Sequence, residues 1–488
     1  MTDKLDLNPM ATGVPGLDTI FGGGLPDLSF NIIGGAPGSG KTTFAQQLMF
    51  GLAGPQRKAL FFTAMGEPPA KMLRYQQQFG FFDVDKVGDS VNFISLAPQV
   101  EAGDYDAVMA QILDEVRTHK PALVFIDSFR SFIEGARGDF REVASLQTFI
   151  GQLVAHMATW KATSFLIGEY TTNEANRNPI FTVADGIFWL DQQVQRNAMS
   201  RKIQIVKIRG RKQRPGLHAF RIDEGGIRIF PRIIPMVGQP GEHAPAQPLP
   251  RLSSGVAVLD DMLGGGIPKG YSVLLAGPTG SGKTILATEF LADGAAKGET
   301  GVLAVFERSP QQMMNMKLDA LVRSGQVAMM SVRELDLSFD EIVHELLSTV
   351  DAIGATRVVL DSLSGLELAL TPDYQEEFRE SLYRLSTVLR TKGVTVLMTS
   401  ELEDNFQELR LGSHGSGVLV DAIVLQRFVE AQCALHTVIT VAKVRGSRHS
   451  RDFRTFDVTE QGIVIGSGPA PFDGVLRGSA RMREPDEW

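Results

Sequence analysis

One pattern is written twice along this chain, and that repeat limits the possible folds more than any other property of the sequence. TGVPGLDTIFGGGLP, beginning at Thr12, returns as SGVAVLDDMLGGGIP, beginning at Ser254. GAPGSGKT (Gly35–Thr42) returns as GPTGSGKT (Gly277–Thr284), ALVFIDS ending at Ser128 as RVVLDS ending at Ser362, and KIRG (Lys207–Gly210) as KVRG (Lys443–Gly446). The four landmarks keep their order at separations of 242, 242, 234 and 236 residues, a regularity that chance motifs do not show. The sequence therefore predicts a tandem duplication, with domain 1 over 10–236, a linker over 237–250, domain 2 over 251–466 and a tail over 467–488. Five prolines between Pro235 and Pro250 disfavour both helix and central strand, which marks the linker as extended. The tail reads as irregular chain.

Within each copy, short apolar runs alternate with helical spacing. Phe30–Ile33 and Val273–Ala276 lead directly into the glycine-rich loops. Phe44, Ala45, Leu48, Met49 and Leu52 in one copy, and Ile285, Leu286 and Phe290 in the other, then recur at the period of a helix. Ala59–Thr63, Leu123–Ile126 and Ser164–Ile167 match Val302–Phe306, Val358–Leu360 and Thr395–Met398. Continuous apolar strands separated by helices imply an α/β domain of three layers, a parallel-rich sheet with helices on both faces.

The pattern GxxxxGK[ST] between a strand and a helix is a phosphate-binding loop. Its glycines let successive backbone N–H groups turn toward phosphate oxygens, and the helix N-terminus adds positive potential. Gly38, Ser39, Gly40, Lys41, Thr42 and Thr43 form this cradle in the first copy; Gly280, Ser281, Gly282, Lys283, Thr284 and Ile285 form it in the second. Lys41 and Lys283 are expected at the β- and γ-phosphates of ATP, with Thr42 and Thr284 placing hydroxyls on Mg²⁺. Asp127 and Asp361 end apolar strands, where such sheets meet their ligands, and are expected to complete the metal shell. A capping aspartate is the plainer alternative. Hydrolysis also needs a group that orients or deprotonates water. Glu67 in TAMGEPP and Glu307 in VFERSP are the candidates, set against the alternative of turn glutamates on the surface.

The order of these motifs resembles that of the RecA-like ATPases, and the doubled form resembles the KaiC family of circadian-clock ATPases. The resemblance runs from Thr12 to about Gly478. It implies two RecA-like P-loop domains, six chains in a double ring, and ATP between neighbouring subunits. It further implies that Lys207 and Arg209, and likewise Lys443 and Arg445, reach the neighbour's γ-phosphate; solvated strand charges are the alternative. An arginine supplied in trans stabilises transition-state charge. By the same resemblance the partners are other copies of the chain and a KaiB-like or signalling protein.

Two departures from that family stand out. The family carries two adjacent glutamates after the second strand, whereas this chain has Gly66–Glu67 in one copy and Glu307–Arg308 in the other. Unequal site activities are expected. Clock members also autophosphorylate a Ser–Thr pair, whose expected positions here hold Gly417 and Val418; Ser413 and Ser416 are the nearest hydroxyls. They are the candidate phosphoacceptors, with a solvated glycine-rich loop as the alternative.

The expected function is thus an ATP-hydrolysing switch for timing or signalling. A DNA-directed RecA or RadA-type motor shares the core, and KIRGRKQR (Lys207–Arg214) could touch a phosphate backbone. Against it stands a formal charge of −8 from 48 basic and 56 acidic residues, since nucleic-acid binders are typically basic. A nucleotide-assembled scaffold with little turnover is the third reading. The single cysteine, Cys433, excludes an intrachain disulfide and a cysteine-based zinc site. The N-terminus lacks a signal-peptide core, and no apolar run reaches membrane-spanning length, so a cytoplasmic protein is expected.

Overall fold

The computed structural model describes residues 9–64, 69–128, 140–170, 180–195, 198–234, 249–306, 315–332, 337–370, 377–402, 419–459, 462–475 and 481–482. The chain divides into two compact units, Met1–Arg232 and Ile233–Trp488, and each is built around a nine-stranded sheet.

In the first unit the strands are β1 (Phe30–Gly35), β2 (Ala59–Thr63), β3 (Val91–Ser95), β4 (Leu123–Asp127), β5 (Thr163–Glu169), β6 (Gly186–Gln195), β7 (Ala198–Ile208), β8 (Leu217–Asp223) and β9 (Gly226–Phe230). They lie in the order β3-β2-β4-β5-β1-β6-β7-β8-β9. The first six pair in parallel and the last three add antiparallel. The sheet is therefore mixed rather than wholly parallel. In the second unit the corresponding strands are β10 (Ser272–Gly277), β11 (Gly301–Val305), β12 (Val327–Ser331), β13 (Arg357–Asp361), β14 (Thr395–Glu401), β15 (Ala422–Ala431), β16 (Ala434–Val444), β17 (Arg454–Thr459) and β18 (Gly462–Ile465). Their order, β12-β11-β13-β14-β10-β15-β16-β17-β18, repeats the first sheet strand for strand.

The apolar runs sit at the middle of each sheet because both faces are covered. Along the first sheet, Ile33, Phe61, Phe125 and Phe165 point to one face and pack with Phe44, Leu48 and Met49 of helix α1 (Lys41–Leu52). Their neighbours Ile32, Leu60, Val124, Ile126 and Leu166 point to the other, as the two-residue period of a strand requires. There they meet Val108 and Ile112 of α3 (Tyr105–His119) and Leu153 and Met157 of α4 (Phe140–Thr159). The short helix α2 (Pro69–Gln76) lies between α1 and α3 in sequence. Helices α5 (Lys283–Ala296), α6 (Phe339–Ile353) and α7 (Phe378–Thr391) belong to the second unit.

Helix starts fall into two kinds. Asp104 caps α3 by accepting from Ala107 N at 2.9 Å, and Ser338 caps α6 by accepting from Glu341 N at 3.1 Å. The helices after the phosphate loops, α1 and α5, begin at Gly40 and Gly282 with no side-chain cap and no acidic residue in the first turn. Such helix N-termini, with their dipole, favour an anion.

The segment read as an irregular tail carries structure. Phe472 and Val475 are buried in a small cluster with Val429, Ala431 and Val438, and Phe472–Asp473 pairs with Arg481–Met482. Apolar residues at the distal end of the β15–β16 hairpin supply the surface they cover.

Candidate nucleotide-binding sites

Each phosphate loop joins the central strand of its sheet to the uncapped helix. Gly40 and Gly282 adopt φ of 95° and 85°, a conformation that favours glycine. A Cβ at Gly40 would also stand 2.7 Å from Ile222 Cδ1, so the isoleucine's terminal methyl would have to shift to admit a side chain there. Thr42 Oγ1 donates to Asp127 Oδ2 at 2.7 Å, and Thr284 Oγ1 donates to Asp361 Oδ2 at 2.8 Å. The structure thus brings the two separately predicted residues of each copy into direct contact. In the second unit Thr399 Oγ1 donates to the other oxygen, Asp361 Oδ1, at 2.5 Å.

In the first unit these residues line a cavity of about 500 Å³, walled also by Met72, Tyr75 and Gln76 of α2 and by Glu169. Burial pushes the Asp127 carboxyl above its ordinary range, against the opposing pull of the Thr42 hydrogen bond and the Lys41 charge. Burial likewise lowers Lys41, although Glu169 and Asp127 favour its charged form. Lys41 Nζ donates to Ala36 O at 2.7 Å and stands 3.8 Å from Glu169 Oε1. Lys283 Nζ donates to Gly277 O and Pro278 O at 2.9 and 2.8 Å. These short backbone bonds hold each ammonium over its own loop.

The donors present fit a nucleotide with a hard divalent cation. A threonine hydroxyl beside one carboxylate is an all-oxygen set of the kind Mg²⁺ shares with substrate phosphates. No cluster of three or more His, Cys, Asp or Glu occurs among the described residues, so a full protein cage for a metal is not built there. Ser39 Oγ is buried without a hydrogen-bond partner, whereas Ser281 Oγ donates to Gln426 Oε1 at 2.9 Å. Leu190, level with Gly35, occupies in the first unit the position that Gln426 holds in the second. The first loop therefore leaves a buried hydroxyl unpaired where the second makes a hydrogen bond.

The two KxRG motifs lie elsewhere. Lys207 and Ile208 end β7 opposite Ile187 and Gly186, and Gly186 is level with Asn31 near the start of β1. The phosphate loop leaves the other end of β1, after Gly35. Five strand steps separate the two ends, about 16 Å, which puts Arg209 beyond reach of its own loop. Arg209 Nη1 instead meets Asp185 Oδ1 at 3.2 Å, and Lys207 Nζ donates to Thr182 O at 2.9 Å. The second unit repeats the placement: Val444 pairs with Ala422, Lys443 Nζ donates to Val420 O at 2.7 Å, and Arg445 Nη1 lies 3.8 Å from Asp421 Oδ1. Burial and the neighbouring guanidinium lower the ammonium pKa of both Lys207 and Lys443.

Four of the sequence candidates, Glu67, Glu307, Ser413 and Ser416, lie outside the described residues. Sequence reasoning missed Glu169 and Glu401, which end the matching strands β5 and β14, and Asp185 and Asp421, which lie beside Arg209 and Arg445; Asp421 Oδ1 also meets Arg390 at 2.8 Å. Both pairs occupy equivalent places in the two copies. A residue-by-residue overlay of the repeat is the signal that would have found them.

A model of the family described as the KaiC ATPase matches residues 10–233 and again 252–470. The circadian clock protein KaiC3 of a Synechocystis species is 27% identical over 493 residues, covering 97% of this chain and 94% of that protein. The circadian clock oscillator protein KaiC of Parathermosynechococcus lividus is 26% identical, over 98% of this chain and 88% of its own length. The protein of the same name from Thermosynechococcus vestitus is also 26% identical, over 99% and 93%.

Proposed function

The chain belongs to the KaiC family of ATPases, and we propose that it is a nucleotide-dependent timing or signalling switch, assembled as a homohexameric ring with ATP at the subunit interfaces. One observation carries this reading. Each unit holds its Lys–Arg pair at the end of the sheet opposite its own phosphate loop, so the pair is placed to serve a loop other than its own, which in a ring is a neighbouring copy's.

In the proposed cycle the loop N–H groups and Lys41 or Lys283 bind the β- and γ-phosphates. Thr42 with Asp127, and Thr284 with Asp361, would hold Mg²⁺, which would supply positive charge against the charge developing on the phosphate oxygens. Arg209 or Arg445 of the adjacent subunit adds its planar guanidinium from the other side. Asp185, 3.2 Å from Arg209, keeps the first of those guanidiniums aimed. Glu67 and Glu307 orient the attacking water and accept its proton. Loss of the first glutamate of the pair in copy one makes the two sites unequal in rate.

Weak autophosphorylation follows from the second departure. Ser416, nearer the family's acceptor positions than Ser413, is the preferred acceptor. A KaiB-like or signalling protein would read the nucleotide state, in the cytoplasm. No helix among the described residues is long and apolar enough to cross a membrane.

Native mass spectrometry with and without Mg-ATP tests assembly: conversion to a hexamer is expected, and a chain that stays monomeric at saturating nucleotide overturns the ring. Phosphopeptide mapping after Mg-ATP incubation, with Lys283→Ala as control, tests the kinase activity. Turnover without phosphate on either serine leaves an ATPase alone.

A further inference from the structure

The two phosphate loops differ at their third position, Pro37 in the first and Thr279 in the second. In the register of each sheet a glutamate stands level with the start of the loop: Glu169 beside Gly35, and Glu401 beside Gly277. Their surroundings have diverged. Glu401 Oε1 accepts from Thr279 Oγ1 at 2.7 Å, so the loop's own hydroxyl holds this carboxylate. Proline has no hydroxyl and no N–H to offer, and Glu169 turns to the Lys41 ammonium, 3.8 Å away. Glu169 also lines the cavity in which the phosphates would lie.

We propose that Glu169 is a resting counter-ion of Lys41 that ATP must displace, and that the third loop residue, by holding or releasing this glutamate, sets the ATP affinity of each unit. The inference rests on both loops binding ATP. Lys41 is only 7% exposed, so without phosphate it needs compensation for lost water. Ala36 O and Glu169 supply it. When ATP enters, its terminal phosphate competes for the same ammonium, and Glu169 becomes a like charge beside it. Glu401, held by Thr279, already has a partner on the loop and opposes entry less.

Binding of AMP-PNP and of ADP, with Mg²⁺, is measured by calorimetry at the first site in a Lys283→Ala background and at the second in a Lys41→Ala background. Glu169→Gln should tighten AMP-PNP binding about tenfold and ADP binding less, because ADP lacks the terminal charge. Glu401→Gln should change the second site less than threefold. Pro37→Thr gives Glu169 a hydroxyl partner and should reproduce most of the Glu169→Gln gain, with little further gain when the two are combined. Unchanged or weaker AMP-PNP binding in Glu169→Gln overturns the proposal, as does full additivity with Pro37→Thr. Nucleotide-free melting of each variant separates these effects from folding. A Lys41→Ala, Lys283→Ala chain that still binds nucleotide would instead overturn the reading of the loops.

Discussion

Asp127 should give the first site a dependence on pH. Burial raises its folded-state pKa above the ordinary carboxylate value, so in the nucleotide-free fold the ionised form carries a penalty. That penalty is absent below the unfolded pKa and is complete once pH has risen through the folded one. A cation selects the ionised carboxylate, so affinity for Mg-ATP should climb over the same interval and binding should release a proton. Calorimetry in buffers of different ionisation enthalpy, with the second site silenced by Lys283→Ala, measures that proton. Asp127→Asn should remove the carboxylate's share of both the proton release and the pH slope; an unchanged slope would assign it to the nucleotide alone. The lysines act one site at a time. Lys41→Ala and Lys283→Ala should each remove one bound nucleotide per chain in native mass spectra, since each ammonium is the compact counter-charge of its own loop. Loss of both nucleotides from a single substitution would contradict independent sites.

Between helix and sheet, the two units solve one packing problem in different ways. In the first, Leu52 of α1 and Leu123 of β4 are buried in the same cluster. At the equivalent places the second unit has Gly294 of α5 and Arg357 of β13. Arg357 is 1% exposed and bonds Glu299 Oε2 at 2.5 Å, Asp293 Oδ2 at 3.1 Å and the carbonyls of Phe290 and Ser253. A Cβ at Gly294 would meet Arg357 Nε at 2.6 Å, so the glycine is needed for the arginine to fit. Arg357→Ala should cost about 3 kcal/mol in urea melts by leaving Glu299 without this cation and Asp293 with Lys297 alone. Gly294→Leu should be destabilising alone and less so beside Arg357→Leu, which restores the first unit's pair. A full cost in the double variant would show that the carboxylates dominate. Such exchanges explain what the sequence could reveal. The central strands were legible because continuous apolar runs lead into the loops or end in aspartate. The edge strand β3 was not, since most of its residues are only half-buried. Nor were β7 to β9, whose polar residues alternate with apolar ones beyond the parallel core. Glu169 escaped because a polar residue closing a strand looks the same in sequence as the start of a turn.

At the level of the whole chain, repetition extends to function: each unit carries one loop and one Lys–Arg pair at opposite ends of its sheet. An interface that joins one such end to the other is heterologous, and it closes a ring when the rotation permits. Mixing equal amounts of Lys41→Ala and Arg209→Ala chains, both with Lys283→Ala, should restore about a quarter of the first-unit turnover, because random neighbours join an intact loop to an intact arginine at that frequency. No recovery between chains that demonstrably exchange would remove the trans role. The separation of the two ends also has a consequence for an isolated chain. A lone copy can load nucleotide at both loops, yet neither KxRG arginine reaches the loop of its own unit, so without a neighbour its ATP would sit unspent. Turnover per chain would then fall on dilution and rise with expression, and the rate at which a cell's pool consumes ATP would report how many copies it holds.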